Sequence, residues 1–411
     1  MSKKIGSGAY GTVASAKDGS EEARALNDGH AVEVAIKKVA DVFADAVDAK
    51  RILREVRLMR HWNHPCVLGL YDIVEPSYST HFDDLYIVTP LLTTDLSRII
   101  YSRTVLSDPQ VLYLLYQTCC GVHYINSAGV LHRDLKPANL IVDVKSCALK
   151  VCDFGLSRPD VHGDEAMEEF PEDERAKYTE YGVTRWYRAP EVMLGFYRYG
   201  AAIYAWSIAC IFCEVVLKEP LFPGNDYLHQ LKIILQQIGK PNEDDQWFVS
   251  NANAKSFLDR LPKYEAKPLD DRFASDKPQP PAGLCQLATK MLHFDPKKRA
   301  TMAQCLTDPS FDDYREDDLE ARAGYRVDME DVELVKLDPS SIRSMLYRDI
   351  RAFHRNSEPM GNRSPDSLGP DSGEVTPSDP HRLTMQTLTT RLDNSSILKD
   401  AREAAAMAAG R

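Results

Sequence analysis

The chain has 411 residues, 44% of them hydrophobic and 27% charged, with a formal net charge of −11. That profile suits a soluble globular protein large enough for two lobes or domains, and its sign excludes a nucleic-acid backbone as a main partner while favouring basic or metal-bound ones. The nine cysteines are scattered, so they imply a reducing compartment rather than a secreted disulfide frame. Cys210 and Cys213 form a CxxC inside an apolar run, with no second pair at zinc spacing, and read as buried thiols. The start, MSKKIGSGAYG, has no apolar core and is not expected to act as a signal peptide. The longest apolar run, Ala201 to Cys213, is too short for a bilayer and predicts a buried helix, so no membrane partner is expected.

In chain order, Ile5 to Val13 reads IGSGAYGTV. Gly6, Gly8 and Gly11 let backbone N–H groups approach a phosphate closely. Glycine-rich turns are common, so this run gains weight only from its context. Val32 to Val39 (VEVAIKKV) predicts a strand, with Ala35 small enough to lie over a flat base and Lys37 pointing into the same cleft. Asp45 to His61 carries Ile52, Val56 and Met59 at helical spacing. Glu55 on that helix can pair with Lys37 and hold it toward the α- and β-phosphates. Taken singly, Lys37 and Glu55 read equally well as solvated surface charges.

Leu85 to Thr89 predicts a buried strand running into Pro90-Leu91-Leu92, a connector suited to a hinge. Backbone groups of the connector up to Leu92 are expected at an adenine edge, with Thr89 behind that pocket and Asp95 on ribose hydroxyls. Pro109 to Ala128 predicts a long helix, with proline near its start and Gly129 at its end. It delivers the chain to His132–Leu140, written HRDLKPANL. There Asp134 can accept a proton from a hydroxyl, Lys136 can reach a phosphoryl group in transfer, and Asn139 can hold a metal ion. After a short apolar strand comes VCDFG, where Asp153 offers a second hard oxygen ligand. Phosphoryl transfer needs an aligned nucleophile, a bridging Mg²⁺ and cations around the γ-phosphate rather than covalent help.

Between Arg158 and Arg175 lie eight acids, followed by Thr179-Glu180-Tyr181 and GVTRWYRAPE. Phosphates on Thr179 and Tyr181 would each add about −1.5 to −2 charge. So acidic a loop tolerates them only if arginines receive them, and Arg54, Arg133, Arg158, Arg185 and Arg188 are the candidates. Further on, Tyr204 to Leu217 predicts an apolar helix anchoring the larger lobe, and Pro241 to Pro281 reads as polar and loop-rich. Arg299, in FDPKKRAT, is expected to be a buried partner of Glu191. Phe311 to Glu320 (FDDYREDDLE) is either a solvated helix end or a docking patch for basic peptides. From Asn356 the Ser, Pro, Asp, Thr and Gly composition predicts a disordered tail.

The motifs IGSGAYGTV, VAIKK, HRDLKPANL, CDFG, TEY, TRWYRAPE and FDPKKRAT, in that order, resemble the TEY-type mitogen-activated protein kinases from about Lys4 to His354. The resemblance implies an α+β, bilobal protein kinase fold: a β-rich small lobe over residues 1–89, a hinge over 90–95 and a helical large lobe over 96–310. A C-terminal extension over 311–355 would pack on the kinase, followed by the tail, 356–411. It implies ATP and Mg²⁺, phosphorylation of Ser or Thr before proline, and a cytoplasmic and nuclear location. It also implies an upstream dual-specificity kinase acting on Thr179 and Tyr181, docking peptides on an acidic patch, and no nucleic-acid partner. Ile5, Val13 and Ile141 join the expected ATP contacts. Arg54, Arg133 and Arg158 match the family's phosphothreonine pocket, and Arg185 and Arg188 its phosphotyrosine contacts. Val111 to Tyr116, with Asp313, Asp317 and Asp318, lie near where the family docks partners.

Three departures stand out. Met1 sits almost on the glycine-rich loop, where the family has residues that complete a first strand. Tyr204 stands where the family has an aspartate accepting backbone N–H bonds from the catalytic loop, which predicts a looser loop and lower turnover. The activation loop is longer and more acidic than usual, with Gly182 where the family has a bulkier apolar residue. The first two departures motivate a rival reading, a catalytically weakened kinase-fold docking module.

Overall fold

In a computed structural model, residues 3–8, 11–20, 30–76, 82–160, 185–196, 200–273 and 278–357 are described. They divide into two compact units, one holding 3–64, 68–92 and 328–357, the other 65–67 and 93–327. The acidic loop, Thr179, Tyr181, Gly182 and the tail beyond residue 357 lie outside the described residues.

The first unit opens with strands β1 (Lys3–Gly8), β2 (Gly11–Asp18) and β3 (Val32–Val39). Helix α1 (Ala46–Met59) and strands β4 (Asp72–Ile73) and β5 (Leu85–Pro90) follow. The strands form one antiparallel sheet in the order β1-β2-β3-β5-β4. At the β1–β2 turn Gly8 pairs with Gly11, whose φ is +151°. A side chain at Gly11 would run into the Lys38 carbonyl, so only glycine fits there. Helix α1 starts where Asp45 accepts the N–H groups of Val47 and Asp48 at 2.8 and 2.9 Å. Its Ala49, Ile52, Leu53 and Val56 are buried.

The second unit starts with β6 (Thr94–Asp95), α2 (Leu96–Ile100) and α3 (Asp108–Ser127). Strands β7 (Val130–Leu131), β8 (Leu140–Asp143), β9 (Ala148–Val151) and β10 (Arg158–Pro159) follow. β8 pairs with both β6 and β9, and β7 pairs with β10. Helices α4 (Pro190–Met193), α5 (Ala202–Leu217), α6 (Tyr227–Ile238), α7 (Ala252–Arg260), α8 (Leu284–Met291) and α9 (Met302–Leu306) complete it. α5 is the core element: Ile203 through Leu217 are all buried, Cys210 and Cys213 among them. Residues 65–67 join this unit because the Val151 N–H bonds the Cys66 carbonyl at 2.9 Å and Lys150 Nζ donates to the Pro65 carbonyl at 2.6 Å.

The span from Pro241 to Pro281 is not all loop. Asn251 caps α7 by accepting the N–H groups of Asn253 and Ala254, and Leu258 packs with Phe248, Val249 and Phe294. The helix is too short, and too polar on its outer face, for its period to stand out from the sequence. Glu191 and Arg299 do pair: both are buried, with Nη1–Oε1 at 2.7 Å and Nη2–Oε2 at 2.9 Å. Among the described residues no helix is long and apolar enough to cross a membrane.

The chain then returns to the first unit with α10 (Glu330–Leu334) and α11 (Pro339–Ser357), which pack on α1. Arg57 Nε bonds Asp349 at 2.7 Å and its Nη1 bonds Asp331 at 2.9 Å; Arg60 Nη1 bonds Asp349 at 2.8 Å. Asp338 caps α11 by accepting the Ser341 and Ser340 N–H groups at 2.9 and 3.3 Å. A hydrogen bond from the Ser341 hydroxyl, first, and then those from the Ser341 and Ser340 N–H groups and the Ser340 hydroxyl, pull its carboxyl from 3.8 down to about 2.

Two outcomes follow. Asp349→Ala leaves Arg60 without its carboxylate and the buried Arg57 with Asp331 alone, and should lower the unfolding free energy by about 3 kcal/mol in a denaturant titration; a loss under about 1 kcal/mol would deny the clamp a structural role. The Asp338 cap holds its full contribution above its unfolded value of 3.8 and loses it as the pH falls toward about 2. Amide exchange across residues 339–357 should therefore rise in that window for the native chain and less for Asp338→Asn, which keeps a capping oxygen that does not titrate.

Candidate active site

In the first unit, cross-strand partners share a face. Val13 pairs with Lys37 and Ala35 with Thr89, so Val13, Ala35, Lys37 and Thr89 lie on one side of the sheet. All four are part-exposed. Lys37 Nζ is held by both oxygens of Glu55, at 2.7 and 2.9 Å, with 27% and 12% of the two side chains exposed. A lysine so gripped presents its charge in one place rather than sweeping a cone of solvent. Gly6, Gly8 and Gly11 form the end of the β1–β2 hairpin, with Ile5 36% exposed. Leu92 ends this unit on the sequence side of the connector.

In the second unit the sequence HRDLKPANL folds as a closed loop ending in the 3₁₀ turn Pro137–Asn139. Asp134 is 6% exposed. Its Oδ2 accepts Lys136 Nζ at 2.6 Å and Asn139 Nδ2 at 3.1 Å, and its carbonyl accepts the same Nδ2 at 2.8 Å. Asn139 thus commits its nitrogen to Asp134 and leaves its side-chain oxygen for a ligand. The Cys152 N–H bonds the Asn139 carbonyl at 3.0 Å, which ties this loop to the chain just before Asp153, an exposed carboxylate. Among the described residues no three or more His, Cys, Asp or Glu gather to hold a metal. Two hard oxygens from Asn139 and Asp153 suit Mg²⁺, which typically takes one or two protein ligands and completes its shell with water and substrate phosphate.

The sequence gives His132 no role of its own, yet it ties the loop together. Its ring is fully buried; Nδ1 accepts the Asp134 N–H at 3.3 Å and Nε2 faces the Cys152 carbonyl at 2.9 Å. Burial pushes its pKa below the usual histidine value. A neutral ring accepting at Nδ1 must carry its proton on Nε2, which donates to Cys152. The Ser157 hydroxyl reaches the His132 carbonyl at 3.4 Å. On either side, Arg133 and Asp153 each take a left-handed φ of +69°, a conformation costing on the order of 1–3 kcal/mol for a non-glycine residue. Tyr204 does not leave the loop without a partner, as its replacement of an aspartate predicts. Its hydroxyl accepts the His132 N–H.

Other expected site residues have further engagements. Asp95 caps α2, accepting the Arg98 N–H at 3.0 Å and pairing with the Arg98 guanidinium at 3.2 Å. Ile141 pairs with Asp95 across β6 and β8. Arg54, in the first unit, is buried and gripped by both oxygens of Glu333 at 2.8 and 3.0 Å. Arg158, in the second unit, donates to the Ser157 carbonyl at 2.9 Å, and Arg133 is part-buried. Arg185 donates to the Asn225 carbonyl at 2.9 Å and lies over the Tyr227 ring, while its Nε is buried with no partner among the described residues. Arg188 bonds the Tyr227 hydroxyl at 2.5 Å. Asp313, Asp317 and Asp318 are exposed, but Val111, Tyr113, Leu114, Leu115 and Tyr116 are buried in α3. Near the family's docking region, Val111 and Tyr113 to Tyr116 are therefore core, because these side chains face the packed side of a helix buried along most of its length.

The Protein kinase domain family matches residues 1–311. The chain is 40% identical over 352 residues to mitogen-activated protein kinase 6 of Arabidopsis thaliana, covering 85% of this chain and 82% of that protein. It is 42% identical over 305 residues to mitogen-activated protein kinase 5 of Oryza sativa subsp. indica, covering 74% and 76%. It is 43% identical over 305 residues to mitogen-activated protein kinase 1 of Oryza sativa subsp. japonica, covering 74% and 70%. Likeness of this extent, on a β-rich unit with a paired lysine and a helical unit with a buried HRD loop, places the chain in the mitogen-activated protein kinase family, as a Ser/Thr protein kinase with the α+β kinase fold.

Proposed function

We propose that this kinase transfers the γ-phosphoryl of ATP to Ser or Thr before proline, and that it is switched on by phosphates on Thr179 and Tyr181 placed by an upstream dual-specificity kinase. The observation that carries the reading is the two-oxygen grip of Glu55 on Lys37, since protein kinases need that pair formed before the lysine can hold the α- and β-phosphates. Asp134 accepts the proton as the substrate oxygen bonds the γ-phosphorus and the bond to the ADP oxygen breaks. Lys136, whose Nζ bonds Asp134 Oδ2, would also meet the transferred group. Asn139 and Asp153 would hold Mg²⁺, which when bound neutralises charge on the β- and γ-phosphates. The buried Nε of Arg185, beside Arg188, supports this pair as receivers of the Tyr181 phosphate. Arg54, Arg133 and Arg158 would receive that of Thr179. The exposed Asp313, Asp317 and Asp318 would take basic docking peptides. The weakened-module reading loses one motive, because the His132 N–H has an acceptor in Tyr204.

Asp134→Asn should lower kcat by roughly 10²–10⁴-fold in a γ-phosphate transfer assay on a Ser-Pro peptide, with ATP binding retained; unchanged kcat would remove Asp134 as the proton acceptor. Thr179→Ala and Tyr181→Phe should each abolish most of the activity gained on treatment with an upstream dual-specificity kinase, with mass spectrometry confirming loss of that phosphate. Full activity in the doubly unphosphorylated chain would end the switch reading.

A further inference from the structure

We propose that the Tyr204 hydroxyl is a positioning group for phosphoryl transfer, acting on Asp134 through the backbone of His132. The inference rests on Asp134 as the proton acceptor. The β7–β10 ladder pairs Val130 with Pro159 and Leu131 with Arg158, and stops there. His132 is the next residue, fully buried. A buried backbone N–H beyond the end of a ladder must find another partner. The partner comes from 72 positions along the chain: the Tyr204 hydroxyl on α5. Tyr204 is itself 1% exposed, on a helix whose neighbouring residues are all buried, so its oxygen is held from a rigid base.

The point it holds is where the chain needs holding. The residue after His132 is Arg133, with its φ of +69°, and the residue after that is Asp134. A non-glycine residue keeps such a conformation only when its surroundings over-determine it. Three other hydrogen bonds fix His132: Nδ1 to the Asp134 N–H, Nε2 to the Cys152 carbonyl, and its own carbonyl to Ser157. The first two belong to the ring and the third to the carbonyl. The Tyr204 contact is the one that holds the amide, and with the carbonyl contact it fixes the peptide planes entering the left-handed turn. The acceptor is a neutral hydroxyl, which gives the N–H its bond without bringing a further charge into the interior.

The test uses the full-length chain and Tyr204→Phe, which removes one oxygen and keeps the ring. The amide of residue 132 should exchange with solvent at least about tenfold faster in the variant, while amides in the centre of α3 and the C-terminal half of α5 are unchanged. kcat should fall by roughly 10–100-fold, with KM for ATP within about twofold. Equal exchange at residue 132 in the two chains would overturn the proposal. So would faster exchange spread evenly along α5, which marks lost packing, or a raised KM with kcat intact. If Tyr204→Phe does not fold, the native chain decides: a residue 132 amide exchanging as fast as an unstructured one overturns the proposal, and protection equal to that of α5 supports it. Should Asp134→Asn retain full kcat, the proton-acceptor reading falls, whereas the exchange rate at residue 132 still reports on the Tyr204 contact.

Discussion

One uncharged imidazole organises the larger unit. His132 can accept at Nδ1 and donate at Nε2 only while it carries a single proton, and burial keeps it so. That arrangement links the backbone of Asp134 to that of Cys152, so the loop carrying the proton acceptor and the segment carrying Asp153 share one rigid part. The two left-handed residues, Arg133 and Asp153, lie on either side of this link. Each is unfavourable alone, and each follows a residue, His132 or Cys152, that hydrogen bonds hold in place.

The smaller unit meets a similar demand with charges. Arg54 and Arg57 on α1 and Arg60 at its C-cap recur every three residues and so lie near one another. Glu333, Asp331 and Asp349 return from the far end of the chain to meet them. Burial pulls the Arg60 guanidinium down, whereas at Arg57 the bonds from Asp331 and Asp349 outweigh burial and raise it. Buried ion pairs add little stability over apolar packing, but they resist rotation and slippage. With three arginines committed to one side, Glu55 is turned about 100° from Arg54 and meets Lys37. The C-terminal segment thereby helps to orient the helix that holds the lysine.

Much of this was legible from residue order. VEVAIKKV reads as a strand because its branched apolar residues alternate, and it spans Val32–Val39 in the fold. The Glu55–Lys37 pair was legible only from the motifs around it, since either charge alone reads as solvated, and the expected Glu191–Arg299 pair is formed. α7 was not, since nine residues with one buried leucine carry too little periodicity. Val111 to Tyr116 lie near the region where the resemblance places docking, but which side of α3 faces the interior depends on neighbours far away in sequence. Glu333 on Arg54 was equally hidden: an arginine's letter does not say which carboxylate reaches it.

Residue order by itself determined the chemistry on offer: a lysine, a glutamate, two aspartates and an asparagine at spacings that suit phosphoryl transfer, together with the local elements that carry them. Those depend on short-range sterics and periodicity, which neighbouring residues set. Tertiary structure alone decided how the buried polar groups are satisfied. A tyrosine that seemed to remove an acceptor restores one, because its longer side chain reaches the His132 amide, and buried hydrogen-bonding groups find partners by distance in space rather than along the chain.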